Sequence, residues 1–426
     1  MYEFSDEAGY LDYLRREVPL PEGFRAASTA LSFVPAERPT LEPYRMDISA
    51  LITERPTDSF AAVFTQNAIV GAPVIIGRRR LGEPATRGVL VNNRISNVCA
   101  PGGESDAEHL AAAFAAQIGA GQTELFPVST GIIGWKLPVS DMERELPTLA
   151  GRLSPDQGLE FAAGIMTTDS FVKVRRASVG EGSVVGIAKG AGMIEPNMAT
   201  MLAFLVTDLD VSPELCRDVL PEAVETSFNS ISIDSDQSTS DMALLLASRR
   251  RRRPEEKEFA VAVRTVCELL AEDIVRNGEG TGHVIRVEVD GCRNNAEAKR
   301  IGKAVINSPL VKTAVYGNDP NVGRIVGAIG DCAGAHGIPL DPAALRVEIG
   351  AVPVFERGVF ALDREKEIHL SSYLKRAAMN PRLRGFPQHM RCVDLHISCG
   401  VGRGFARVSG SDLSDEYVHE NADYRS

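Results

Sequence analysis

Eight short apolar runs, each bounded by turn residues, constrain the fold of this chain more than any other feature. They are FAAVFTQ (60–66), APVIIG (72–77), GVLVNN (88–93), SVVGIA (183–188), TMLAFLVTD (200–208), MALLLAS (242–248), HVIRVEV (283–289) and VDLHIS (393–398). They are brief and mostly rich in β-branched residues, which favours strand over helix. Amphipathic stretches lie between them. Helices are predicted over 105–119, with Ser105 as candidate cap, and over 154–166 and 212–228, which both open with Ser-Pro. Two more are predicted over 254–278, with Pro first, acids in its opening turn and Gly278 at its end, and over 296–306. There is no regular βαβ rhythm, so the expected class is α/β in the form of α+β layers arranged as a sandwich. A length of 426 residues, 44% of them hydrophobic, suits two or three packed domains or two large interleaved ones. GEGTGH, at the close of the longest predicted helix, suggests a division into 1–282 and 283–426.

Charge and composition exclude several classes. A net charge of −11 opposes nucleic-acid binding. No apolar run reaches the ~18 residues a membrane-spanning helix needs. The first residues, MYEFSDEAGYLDYLRREVPLPEGF, are acidic and amphipathic, unlike a signal peptide, so a cytoplasmic protein is expected. The seven cysteines are scattered and form no CxxC, which argues for free, mostly buried thiols. The arginine runs 78–80 and 249–253 read as solvated loops. Asp234, Asp236 and Asp241 lack the glycine and terminal glutamate of a calcium loop, and His389 and His396 fall on opposite faces of a strand, so no metal is expected.

The stretch KGAGMIEPNMATML (189–202) sets a glycine-rich, proline-broken loop directly before an apolar strand, with Thr200 at the junction. A threonine hydroxyl is a weak nucleophile unless a base takes its proton. If Thr200 were the first residue of a chain, its own α-amine, with an ordinary pKa of about 7.7–8.0, would serve. A chain can reach that state by cleaving itself. The Thr200 oxygen attacks the Ala199 carbonyl, and water hydrolyses the ester. Gly190, Gly192, Pro196 and Asn197 supply turn geometries suited to holding such a bond, and MLAFLVTD would anchor the new terminus. The same residues also suit an ordinary loop entering a strand.

The stretch resembles the processing site of the ornithine acetyltransferases, the bifunctional glutamate N-acetyltransferases of arginine biosynthesis. Further matches run in order along the chain: GFRAA (23–27), VFTQN with APV (63–74), STGIIG (129–134), IMTTDSFVK (165–173), SFNSISIDSDQSTSDM (227–242), SPLVKTAVYGNDPNVGR (308–324) and NADYRS (421–426). The resemblance implies an architecture similar to N-terminal-nucleophile hydrolases with its own topology. It implies self-cleavage between Ala199 and Thr200 into chains 1–199 and 200–426, which assemble as an αβ heterodimer that pairs further. It implies a ping-pong transfer of acetyl from N-acetylornithine through Thr200 to glutamate. No cofactor is implied; some members accept acetyl-CoA as donor. By position, Thr130 and Gly131 match the oxyanion hole, and Thr167 and Lys173 match substrate-binding positions, Lys173 facing the substrate carboxylate. Lys189 matches a residue of the site, Glu279 an acid for the ornithine amine, and Asn421 and Ser426 the tail that returns to the pocket.

Four motifs depart from the family pattern: NNRISNVCAPG (92–102), DSDQSTSD (234–241), NGEGTGH (277–283) and GNDPNVGR (317–324). Arg94 and Ile95 replace glycine-like positions, and His283 replaces a lysine. The nucleophile, oxyanion and processing motifs are intact. Three readings stay open: the transferase, a paralogue with a changed donor or acceptor, and a hydrolase using the same nucleophile. An uncleaved binding protein is a fourth, from a different class.

Overall fold

A computed structural model describes residues 3–39, 42–195 and 201–422. Ala199, Thr200 and Ser426 lie outside the described residues. In chain order the strands are β1 (Phe24–Phe33), β2 (Tyr44–Thr57), β3 (Phe60–Phe64), β4 (Thr86–Asn92), β5 (Leu125–Ser129), β6 (Lys173–Val179), β7 (Gly182–Lys189) and β8 (Leu202–Thr207). They continue as β9 (Ile231–Ser232), β10 (Met242–Ala247), β11 (Val284–Cys292), β12 (Arg346–Ile349), β13 (Val352–Glu356), β14 (Val359–Phe360), β15 (Val393–Ser398) and β16 (Gly404–Ser411).

Two sheets, β1-β2-β4-β5 and β3-β10-β8-β7-β6, stack face to face. The core between them is filled from both sides, by Leu51, Val89 and Phe126 of one sheet and Val185, Phe204 and Leu244 of the other. Each sheet is covered on its outer face by helices. Ile48, Ala50 and Leu90 pack under the helices Gly103–Gln117 and Val139–Gly151. Ala203, Leu205 and Leu245 pack under Pro213–Thr226 and Glu256–Arg276. The result is four layers, helix–sheet–sheet–helix, the layered α/β sandwich the sequence predicts. It explains why β10 is apolar at every position and β8 at every position but its last, Thr207. Both faces of each are buried, so no polar alternation survives.

A third sheet, β14-β13-β12-β15-β11-β16-β9, packs against helices Asn295–Asn307, Pro309–Tyr316, Val322–His336 and Arg364–Ala377. Its edge strand β9 comes from before residue 282 and pairs in parallel with β16. The third sheet is therefore stitched to the sandwich by main-chain bonds.

Several predicted elements differ in detail. Residues 72–77 form the start of a helix, Ala72–Arg80, not a strand. Gly71 caps it and Pro73 sits in its first turn, where the missing N–H costs nothing. Arg78–Arg80 are thus helical rather than loop; Arg78 donates to Thr65 O, and Arg80 is buried. The 249–253 run is loop, as expected, and is ion-paired to Asp58, Asp210, Glu54 and Glu22. Ser154 and Pro155 do not start a helix. The Ser154 backbone exchanges two hydrogen bonds with Ala26, and the helix begins at Gly158. Ser105 is inside its helix, which Gly102 caps in the left-handed region (φ 76°). Ser212 does cap its helix, accepting from Leu215 N.

Candidate active site

The strands bring the site together at their ends. β5 runs parallel to β4 and delivers Thr130 and Gly131 just past its last residue. β7 ends at Lys189, and β8 begins beside it in antiparallel register, with Lys189 opposite Leu202. β10 lies parallel to β8, Met242 opposite Leu202, so Ser238–Asp241 arrive at the same edge. Between these ends is a cavity of about 300 Å³, lined also by Thr167, Gly192, Met201, Glu279 and Asn421. Met201 directly follows Thr200 in the chain.

Six sequence-predicted residues therefore meet in one cavity: Thr130, Gly131, Thr167, Lys189, Glu279 and Asn421. Lys189 Nζ donates to Thr130 Oγ1 at 3.0 Å. Thr130 N–H is already committed to Asn92 O at 3.1 Å, so the donor that Thr130 can offer a substrate is its hydroxyl. Gly131 N–H makes no hydrogen bond among the described residues. Gly131 has φ 129°, and a Cβ there would stand 2.2 Å from the Arg94 carbonyl carbon, so only glycine fits. Asn421 Nδ2 donates to Glu279 Oε2 at 2.8 Å, which brings the tail helix Asp415–Ala422 to the cavity. A Cβ on Gly192 would lie 2.4 Å from that same carboxylate, so the processing-motif glycine makes room for Glu279.

Lys173 is not where the resemblance places it. Its side chain is fully buried behind the cavity, not in its lining, and its ammonium is already paired. Nζ lies 2.6 Å from Asp169 Oδ1 and also donates to Phe171 O and Asn277 Oδ1. Burial lowers the Lys173 pKa against the pull of Asp169. Burial works against the charge of Asp169 too, but Lys173 and Lys189 outweigh it and hold that carboxyl well below the usual range. Asp169 Oδ1 also accepts Gly190 N–H at 2.7 Å, and Oδ2 accepts Thr167 N–H at 3.1 Å. Lys173 and Asp169 thus fasten two cavity segments from behind. Asp169 was visible only as the middle of IMTTDSFVK.

The segment ahead of position 196 is equally fixed. Asp234 accepts both Met193 N–H and Ile194 N–H at 2.7 Å, and Glu195 N–H reaches Asp236 O at 2.9 Å. Burial raises the Asp234 pKa despite those donors. Of the aspartates set aside as a calcium loop, Asp234 acts as a main-chain clamp through its carboxylate and Asp236 through its carbonyl. Asp241 is buried on the cavity wall, and burial pushes its carboxyl well above the usual range, with Ser238 and Lys189 opposing.

Of the altered motifs, 234–241 and 277–283 contribute cavity lining, and 92–102 contributes Ser96 while packing Ile95 against the Thr130–Ile132 backbone. Residues 317–324 do not reach this cavity. Asn318 and His283 instead line a neighbouring cavity of about 450 Å³ that shares Thr168 and Glu279 with the first.

The sequence profile of the ArgJ family matches residues 38–426. The chain belongs to the ArgJ family. An ArgJ bifunctional arginine-biosynthesis protein of Geobacter sulfurreducens is 38% identical over 405 residues, covering 92% of this chain and 98% of that protein. The glutamate N-acetyltransferase Oat2 of Streptomyces clavuligerus is 38% identical over 383 residues, covering 89% of this chain and 93% of its own. A crystal structure of the ArgJ bifunctional protein of Bacillus halodurans is 31% identical with a TM-score of 0.46, covering 53% of this chain and 100% of that one. Like these ArgJ relatives, the chain is an enzyme of the acetyltransferase type. Among the described residues no helix is long and apolar enough to cross a membrane.

Proposed function

We propose that this chain is a self-processing N-acyltransferase that moves acetyl from N2-acetylornithine to glutamate through an acyl-Thr200 intermediate. The supporting observation is the meeting of Thr130, Gly131, Lys189, Glu279 and Asn421 in one cavity bordered by Met201. The name of one relative, a glutamate N-acetyltransferase, supports glutamate as acceptor; acetylornithine as donor is what the resemblance implies.

In this mechanism the chain first cleaves between Ala199 and Thr200. The freed α-amine of Thr200 then takes the proton of its own hydroxyl, and the oxygen attacks the acetyl carbonyl. Negative charge develops on the carbonyl oxygen, where Gly131 N–H and the Thr130 hydroxyl can donate. The Lys189 ammonium, 3.0 Å from that hydroxyl, adds positive charge behind it. The α-amine returns its proton to the leaving amine of ornithine. Glutamate enters, its amine attacks the acyl ester, and Thr200 is regenerated. Glu279 supplies a carboxylate for the ornithine ammonium, with Asn421 orienting it. Lys173 contributes by holding Asp169, not by touching substrate.

A changed donor or acceptor has one observation in its favour: altered segments line the cavity at 234–241 and 277–283. The test is purified protein given N2-acetylornithine with and without glutamate. The proposal expects N-acetylglutamate in amounts matching the ornithine released. Ornithine release that glutamate does not accelerate would identify a hydrolase, and no release from acetylornithine would identify a different donor.

A further inference from the structure

The third sheet holds two thiols in contact. Cys292 ends β11 and Cys399 follows the last residue of β15, and their Sγ atoms lie 3.4 Å apart. Strand alternation explains how they meet. β15 turns Val393, Leu395 and Ile397 toward the helices, and Cys399 continues that period of two. β11 turns Val287 and Val289 the same way, so in an unbroken strand Cys292 would face the other side. A bulge between Val289 and Cys292 adds the residue that brings it back. Gly291 lies in that bulge with φ 73°, and a Cβ there would stand 2.7 Å from Gly400 N, so only glycine fits.

We infer that Cys292 and Cys399 form a redox-modification site, which a small oxidant joins as a disulfide that clasps the third sheet. Both lie after residue 200, so the inference does not depend on self-cleavage. Asp290 pairs with Ser398, and the two cysteines therefore follow on adjacent strands. Strand spacing of ~4.8 Å suits the ~4.4–6.8 Å between Cα atoms that a disulfide spans, and the sulfurs need only close to ~2.05 Å. The contact lowers the Cys292 pKa against burial and raises that of Cys399, so Cys292 is the thiol that ionises first. Both are buried, but the turn that follows Cys399, residues 400–403, is exposed. It is tied back by Val401 N–H and Gly402 N–H, which both donate to Gly291 O at 2.7 Å. Opening of that turn, a local event, admits a small oxidant. The bond joins positions 107 apart, with four helices of the third-sheet unit between them. Closing so long a loop narrows the unfolded ensemble and favours the folded state. His283, which lines the neighbouring cavity, is at the other end of β11, so the clasp acts on stability rather than on the site.

With hydrogen peroxide as oxidant the step balances. The Cys292 thiolate attacks one peroxide oxygen, the oxygen–oxygen bond breaks, and the hydroxide that leaves takes up the thiol's proton as water. The Cys399 sulfur attacks the resulting sulfenic sulfur. The sulfur–sulfur bond forms, the sulfur–oxygen bond breaks, and hydroxide leaves with the Cys399 proton as a second water. The two thiols lose two electrons and the peroxide gains them.

The experiment treats the folded wild-type chain with hydrogen peroxide, denatures it in iodoacetamide, and maps its peptides by mass with and without dithiothreitol. The expected result is a Cys292–Cys399 linked peptide, lighter by two hydrogens than its parts and separated by dithiothreitol. Oxidised wild type should melt above the reduced protein, and peroxide should not raise the melting temperature of Cys292→Ser. The inference is overturned if the exposed Cys99 is oxidised while Cys292 and Cys399 both still take up iodoacetamide. It is equally overturned if Cys292 is linked to Cys332 instead. A linked peptide without a rise in melting temperature overturns the clasp. Should Cys292→Ser fail to fold, the wild-type map and melting curves decide alone.

Discussion

The floor and the rim of the cavity are built in different ways. The floor, Thr130, Gly131 and Lys189, stands at the ends of strands whose backbones are locked in ladders buried on both faces. The rim, residues 92–102, 234–241 and 277–283, consists of turns held by side chains. Arg94, Asn97, Cys99 and Ser235 adopt the left-handed conformation (φ 55–69°) that suits glycine better. The motifs that the resemblance assigns to chemistry are intact on the floor, and three of the four departures fall on the rim. A strand end moves only if its sheet moves, whereas a turn can be rebuilt residue by residue. In the proposed mechanism, reaction chemistry draws on the first kind of structure and choice of substrate on the second.

The strongest way to break this contrast is Thr200→Ala. It should abolish both self-cleavage and acetyl transfer, seen as a single full-length band and no product. A variant that still transfers acetyl would end the account of the floor. Next in size is Asp169→Asn, which leaves the Lys173 ammonium buried without its anion. A loss of about 3–5 kcal/mol is expected by chemical denaturation, because both side chains are wholly buried. A smaller loss would mean that the floor is not fastened from behind.

The contrast also separates what the sequence revealed from what it concealed. β8 was legible because a short β-prone run bounded by breakers has few alternatives. The run at 72–77 looked the same but is helical, because Pro73 at a first turn reads identically to a strand edge until its neighbours are placed. The resemblance identified the lysines but not their duties. Which lysine is neutralised in place depends on Asp169 and on Asn277, a hundred residues further on, meeting Lys173. Asp241 appeared only as one of three acids. Its place beside Met201 follows from a parallel pairing of β8 and β10 across the intervening helix Pro213–Thr226, and no local pattern encodes that.

Two smaller effects sharpen the contrast. Thr130→Ala should fold and still bind substrate, with turnover reduced on the order of 10²-fold or more, as for loss of one oxyanion donor. Steady-state kinetics should show the loss in kcat rather than KM; a loss confined to KM would assign the hydroxyl to binding. Arg94→Gly, on the rim, should stabilise the protein by about 1 kcal/mol by relieving its left-handed backbone, with kcat little changed and any shift appearing in KM. A large fall in kcat would show that rim and floor are not separable.

The central claim, that the loop before β8 is there to be cut, is tested most directly by the intact mass of the purified wild-type chain under denaturing conditions. The account predicts two species, matching residues 1–199 and 200–426. A single species at 45.9 kDa after prolonged incubation would contradict it.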